Sequence, residues 1–496
     1  MATPGPIART AQGEVEGRPR DGSQLFAGIP YAAPPTGERR FRPPEPHAGW
    51  SGVRSARRFG LAAPQRPGVG LTAAPLEWDE DCLTLNVCTP AADDGLRPVL
   101  VWIHGGAFRT GKGGIPWYDG GSFAKRGDVV TVSINYRLGA LGWAHVGDVG
   151  GPDFDTAGVS GLLDQIAALR WVRDNIAAFG GDPARVTIAG ESAGAMSVGT
   201  LLGCPAAKGL FRRAIAQSGA AHNTLPDDWA REIGREFARR LGADDAAGLR
   251  AADVEQVLEA QVATQEHFIR HPRSKKGAAG DMVLQPAVGS AVLPEAPIEA
   301  IRAGLSSDVP VLHGTNLDET TLWGYGKVDE ARLARFGERF FDARGAEAIE
   351  TYRKARPDAT PEQLVIAMTS DHMFRIPAIR LAEAHAGNGG RNWSYLFTWR
   401  SRALGGRLGA THALEIPFAF DNLQQPGIDA FLGKGGPDPQ PLADAMHRAW
   451  IAFVRDGDPG WDAYDTDTRS VMEFGERVVP HQDPYGAERA LWQGLR

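Results

Sequence analysis

The segment Gly190-Glu191-Ser192-Ala193-Gly194 lies between an apolar, β-branched run, Arg185 to Ala189 (RVTIA), and a helix-compatible run, Ala195 to Leu202. A chain that passes from strand to helix across one serine must turn sharply there. Glycines two before and two after the serine let strand and helix approach without clashing Cβ atoms. In this strand–turn–helix setting the G-x-S-x-G pattern holds the hydroxyl out of the turn, with the helix N-terminus beneath it. The fold must therefore feed strands into helices, and Ser192 is a candidate nucleophile.

The rest of the first half repeats that alternation. Apolar runs at Pro98 to Ile103 (PVLVWI) and Val129 to Asn135 (VVTVSIN) read as strands. Between the latter and RVTIA, apolar residues Leu162, Ile166, Leu169, Val172, Ile176 and Phe179 recur at helical spacing. Gly180-Gly181-Asp182-Pro183 then ends the helix, and Asp164, Arg170, Arg173 and Asp174 mark its polar face. Alternating strands and helices predict an α/β fold with a large, mostly parallel central sheet covered by helices. Further strands are expected at Val309 to His313 and Asn392 to Trp399, and a late helix around Leu442 to Val454. Charged, Ala-rich helical stretches at about 226–280 and 329–390 interrupt this pattern and read as cap insertions on one catalytic domain of residues 1–496. The basic run His271 to Gly280 reads as an exposed loop.

A serine nucleophile needs an oxyanion site, a base and an orienting acid. His104-Gly105-Gly106-Ala107-Phe108 directly follows the strand PVLVWI, and its glycines permit backbone N–H groups to converge on one point. Gly105, Gly106 and Ala193 are the candidate oxyanion donors. For the acid, Gly314-Thr315-Asn316-Leu317-Asp318-Glu319 offers two adjacent carboxylates at a strand end. The residues alone leave the base open among His372, His385, His412, His447 and His481, of which His412, in a Gly-containing loop after a strand, is best placed. Ser197 and Ser218 lie off the elbow and read as supporting hydrogen-bonders.

These motifs, with FAGIPYAAPPTGERRFRPP (Phe26 to Pro44), EDCLTLNV (Glu80 to Val87), GLLDQIAALRWVRDNIAAFGGDP and FRRAIAQSG, occur in one order along nearly the whole chain. In this the chain resembles the type-B carboxylesterase family of the α/β-hydrolase fold, which includes bacterial carboxylesterases, para-nitrobenzyl esterases and cholinesterases. The resemblance implies a carboxylesterase acting on short-chain or aromatic esters through an acyl-enzyme. It assigns the acid of the G-x-N-x-D-E motif to Glu319 rather than Asp318, and the histidine of the H-x-x-E-x-x-F segment to His412, with Glu415 as the carboxylate that follows. Glu191 matches the family's buried acidic residue beside the nucleophile. The resemblance departs at Cys82, because the stretch Phe59 to Gln65 lacks the upstream cysteine that pairs with it in many members, so Cys82 is expected to be a free thiol.

Such chemistry requires no metal or organic cofactor, and a small-molecule ester is the expected partner. A formal net charge of -7 gives no basic footprint for nucleic acid. No stretch reaches the roughly 18 apolar residues of a membrane span, and no basic start precedes an apolar run, so a cytoplasmic monomer is expected. Three cysteines form no disulfide framework. Cys82 and Cys88, at even spacing along an apparent strand, are expected on one buried face. Two other readings remain at this point: an aryl carbamate or anilide hydrolase with the same triad, and a non-catalytic adhesion relative, against which the intact Ser192, Glu319 and His412 speak. Phe108, Leu322, Trp323, Phe374 and Phe418 are candidate pocket walls or plain core.

Overall fold

Eleven strands pair into one twisted sheet in the computed structural model, which describes residues 5–68, 76–272 and 282–495. In chain order the strands are β1 (Ile7–Thr10), β2 (Gly13–Glu16), β3 (Arg18–Arg20), β4 (Ser23–Pro30), β5 (Val53–Ser55), β6 (Thr84–Thr89) and β7 (Arg97–Ile103). They continue with β8 (Val130–Ile134), β9 (Gly181–Glu191), β10 (Arg213–Gln217), β11 (Val311–Asn316), β12 (Asn392–Phe397), β13 (Ser470–Phe474) and β14 (Val478–Gln482). The large sheet runs β14-β13-β12-β11-β10-β9-β7-β8-β6-β4-β3, and β1, β2 and β5 form a small separate sheet. Every pairing from β13 through β8 is parallel, whereas β14, β6, β4 and β3 run antiparallel at the margins.

Parallel strands covered on both faces must be apolar at successive positions. In β7, Val99, Val101 and Ile103 enter one core, and Leu100 and Trp102 enter another on the opposite face. The expected helix spans Ser160–Asn175 and continues as a 3-10 turn over Ile176–Phe179. Its six apolar residues all join the first core, and Gly180 ends it at φ 77°. The polar face is less polar than the sequence suggests. Asp164 is fully buried, because Arg137 reaches across from the end of β8 and takes both its oxygens at 2.8 and 2.7 Å.

The two helical excursions differ in kind. The first comprises Asp227–Leu241, Ala246–Ala251 and Val254–Arg270, and its Ile233, Phe237, Leu249 and Val257 are part of the first core. Helices Glu330–Phe341, Gly345–Ala355 and Pro361–Ser370 of the second build a core of their own around Phe340, Tyr352 and Trp492. Most of the basic run after His271 lies outside the described residues.

All three cysteines are buried and unpaired, as expected for Cys82. Cys82 and Cys88 nevertheless face different cores. Cys82 precedes β6 in a tight turn, with the Thr84 N–H donating to the Cys82 carbonyl at 2.7 Å, so the two-residue alternation of the strand does not extend back to it. Among the described residues no helix is long and apolar enough to cross a membrane.

Removing one partner of a buried ion pair strands the other charge at a cost of about 3–5 kcal/mol. Asp164→Ala is therefore expected to lower the denaturant midpoint well below that of the unaltered protein, and an unchanged midpoint in chemical unfolding would count against a structural role for the pair.

Candidate active site

Four strand ends converge on one cavity. Ser192 follows β9 and precedes the helix Ala193–Leu202, in the left-handed region at φ 56°, ψ −126°. A non-glycine residue held there costs about 1–3 kcal/mol and persists only when its surroundings fix it. A Cβ on Gly194 would stand 2.0 Å from the Ile103 carbonyl oxygen, and one on Gly190 would stand 2.5 Å from the Gly194 carbonyl carbon. Only glycine permits this crossing of turn and strand, so the elbow's two glycines answer to close backbone approach.

Gly105 and Gly106 follow β7. A Cβ on Gly105 would lie 3.0 Å from the Ser192 Cβ, which places the loop directly beside the serine. Gly106 takes φ 115°. The N–H groups of Gly105 and Gly106 donate to no carbonyl among the described residues, and Ala193 opens its helix, where an N–H has no intrahelical acceptor. All three expected oxyanion donors thus border Ser192.

Glu319 follows β11, and His412 lies in the loop beyond β12. The His412 Nδ1–H donates to Glu319 Oε2 at 2.5 Å, and the Asn316 N–H donates to Glu319 Oε1 at 2.9 Å. Asp318 points elsewhere: its Oδ2 accepts from the Ala410 N–H at 2.9 Å and from Arg400 at 3.1 Å, bracing the histidine loop from outside. The other histidines have separate occupations. His385 contacts the Ser306 carbonyl, His447 the Ala419 carbonyl, and His481 pairs with Glu473 on the edge strands. His372 stacks on Trp492.

Glu191 and Glu415 complete a buried charged cluster. Glu191 Oε1 lies 3.1 Å from His412 Nε2, a charge contact without hydrogen-bond geometry. Burial raises the Glu191 carboxyl to about 8, against the pull of His412 and with the push of Glu415 and Glu319. Burial likewise raises Glu415 to about 7, although Asn316 and Gln217 donate to it at 2.6 and 3.1 Å. Trp450 in turn donates to Gln217 at 2.9 Å. For His412 burial works in the opposite sense and is outweighed by the charges of Glu191 and Glu319, which raise the imidazole above its ordinary value.

Ser192, His412, Glu191, Gly105 and Gly106 line one cavity of about 260 Å³ with Leu322, Trp323, Ile115 and Phe431. Of the sequence-proposed walls, Leu322 and Trp323 are there. Phe374 packs on the His412 ring at 4.8 Å, whereas Phe108 and Phe418 are core residues against Trp143 and Phe397. Ser197 bonds the Ala193 carbonyl at 2.9 Å as a support, but the buried Ser218 hydroxyl finds no partner among the described residues. Sequence reasoning missed Gln217, Asn316 and Arg109. Gln217 and Asn316 stood inside motifs already noticed and Arg109 directly after one, but nothing in their neighbours marks which way an amide or guanidinium points.

A largely parallel sheet whose strand ends carry, in chain order, a glycine loop, a serine elbow, an acid and a histidine is the α/β-hydrolase architecture. The chain matches the Carboxylesterase family over residues 4–492 and belongs to it, as a carboxylic-ester hydrolase. It is 38% identical to phenmedipham hydrolase of Pseudarthrobacter oxydans, covering 95% of each chain. It is 36% identical to para-nitrobenzyl esterase of Bacillus subtilis (strain 168), covering 97% of each. A carboxylesterase structure from Geobacillus stearothermophilus superposes with a TM-score of 0.86 at 40% identity, covering 98% of this chain and 100% of that one.

Glu191 exerts the largest single charge attraction on the His412 proton, followed by Glu319, which adds a hydrogen bond to its charge. Glu191→Gln is therefore expected to lower the pH at which the His412 imidazole titrates, read by NMR of the ring, and a titration that stays in place would show that the contact carries no charge coupling.

Proposed function

We propose that this esterase works through Ser192, His412 and Glu319, with the N–H groups of Gly105, Gly106 and Ala193 as its oxyanion site. The observation that carries the reading is the 2.5 Å bond between His412 and Glu319 in a loop whose histidine shares a cavity wall with Ser192. As the Ser192 oxygen attacks the ester carbonyl, His412 Nε2 takes the hydroxyl proton. Glu319 keeps Nδ1 protonated and stabilises the imidazolium. The carbonyl oxygen becomes an oxyanion beside the three N–H donors, each of which contributes about 3–4 kcal/mol to the transition state. Collapse expels the alcohol with the proton from His412, leaving an acyl-serine, and water then repeats the sequence to release the acid.

Apolar walls at Leu322, Trp323, Ile115 and Phe431 support short-chain or aromatic esters as substrates. The three unpaired thiols support a reducing, cytoplasmic setting.

Ser192→Ala is expected to reduce kcat on para-nitrophenyl butyrate by about 10⁴- to 10⁶-fold. Glu319→Gln is expected to cost about 10⁴-fold, by analogy with the loss of a triad acid, whereas Asp318→Asn stays within about tenfold of the unaltered enzyme. Steady-state kinetics of the three variants test this, and equal losses for the two acids would reject Glu319 as the orienting group.

A further inference from the structure

Arg109 is a cation in the wall of the cavity that pairs with no carboxylate among the described residues. It stands three residues beyond Gly106 and lines the cavity that holds Ser192 and His412. The one hydrogen bond of its side chain among the described residues is a long 3.4 Å contact from Nη1 to Gln265 Oε1, and its Nε is buried with no acceptor there. Gln265 Nε2, beside it, is also buried without a partner. Other arginines away from the surface are answered either by carboxylates, as Arg137 is by Asp164, Arg40 by Glu80, Arg375 by Asp371 and Arg20 by Asp119, or by main-chain carbonyls, as Arg380 is by those of Trp492 and Leu495 and Arg213 by those of Val454 and Arg455.

The backbone that presents Arg109 is fixed. Ala107 and Phe108 both adopt positive φ, 54° and 58°, and fold the loop back so that the Arg109 and Thr110 N–H groups both donate to the Gly106 carbonyl at 3.0 Å. The fully buried Phe108 ring packs edge-on against Trp143 at 4.9 Å, and the Phe108 carbonyl accepts from the Gly139 N–H at 2.7 Å. The glycine loop that borders the serine is thus continuous with a rigid turn that carries a guanidinium into the same cavity. Glu191, the cavity's own acid, is committed to His412 and forms no ion pair with Arg109.

We infer that Arg109 binds a free carboxylate on the substrate, so that the enzyme's preferred esters are half-esters or carboxylated esters rather than wholly neutral ones. A planar guanidinium takes a carboxylate through two parallel N–H donors, and such charge-assisted bonds are about twice as strong as neutral ones. Within an otherwise apolar cavity an unanswered cation costs desolvation in the free enzyme, and a substrate carboxylate recovers it on binding. The inference rests on Ser192 being the nucleophile, because the cavity is a substrate site only on that reading.

The test compares kcat/KM for mono-para-nitrophenyl glutarate with that for para-nitrophenyl pentanoate, and for 4-carboxyphenyl butyrate with that for phenyl butyrate, in the unaltered enzyme, Arg109→Met and Arg109→Lys. The first pair carries the charge on the acyl side and the second on the alcohol side. In at least one pair the charged-to-neutral ratio is expected to fall about 10- to 100-fold in Arg109→Met and to recover in part in Arg109→Lys. Ratios that stay within twofold in both pairs overturn the inference, as does a parallel loss on charged and neutral esters. Ser192→Ala in the same assay keeps the two readings apart: undiminished turnover of the neutral esters there would overturn the proposed nucleophile, whereas lost turnover with an unmoved ratio in Arg109→Met would overturn only the carboxylate site.

Discussion

The carbonyl of Ile103, the last residue of β7, occupies the space a side chain at position 194 would need. Gly190 is pressed against the same carbonyl, and the β7–β9 ladder pairs Ile103 with Gly190 directly. One backbone contact therefore locks the turn carrying Ser192 to the strand that ends in the glycine loop. The strained backbone at Ser192 cannot relax, because β9 is paired on its other side to β10, with Glu191 opposite Gln217, and the Ser192 N–H donates to the Gln217 carbonyl at 2.9 Å. Residues 104 to 106 begin where β7 stops, so the candidate oxyanion donors must start beside the serine. The parallel sheet is thus what makes the site's geometry non-negotiable.

The cluster around His412 obeys a different balance. Glu191, Glu319 and Glu415 are all buried, and a fully charged carboxylate in such a place costs several kcal/mol. The protein limits that cost in two ways. Glu415 is clamped by Gln217 and Asn316, which compensate its charge through donors, and yet burial still lifts it to about 7. Glu191 has no such donors and is lifted further, to about 8. Burial thus favours the neutral forms of Glu191 and Glu415. Glu319 alone receives the directed Nδ1–H bond, so the tautomer of His412 is set by geometry while its charge is set by the whole cluster.

The elbow was legible in the sequence because its glycines, its strand and its helix are contiguous, and the parallel core because buried strands such as β7 are apolar without interruption. Boundaries moved by up to four residues: β9 begins at Gly181 rather than Arg185, and β11 at Val311 rather than Val309, after the donor-less Pro310. What could not be read were matters decided across long separations. Asp164 sits at a position consistent with a solvated helix face, and only the approach of Arg137 from another strand end explains its burial. Cys82 kept the strand's numerical period while lying outside the strand. Among the five histidines the sequence context favoured His412 without excluding the others, and resemblance made the assignment. Four of them find carbonyls, rings or an edge carboxylate, all supplied by distant segments.

The division of labour in the cavity follows from the same topology. Serine, oxyanion loop, acid and histidine come from strand ends whose positions the sheet dictates. Other contacts come from outside the sheet: Gln265, which touches Arg109, belongs to the first helical insertion, and Phe374, which packs on His412, to the second. Arg109 stands at the junction of the two, its backbone fixed by the loop after β7 and its side chain contacted by an insertion. A change in the first insertion can alter what surrounds the guanidinium without displacing Gly105 or Gly106. On the proposed reading the arrangement therefore separates the bond that is broken from the group that is recognised, and it places that separation at one residue within the first turn beyond the candidate oxyanion loop.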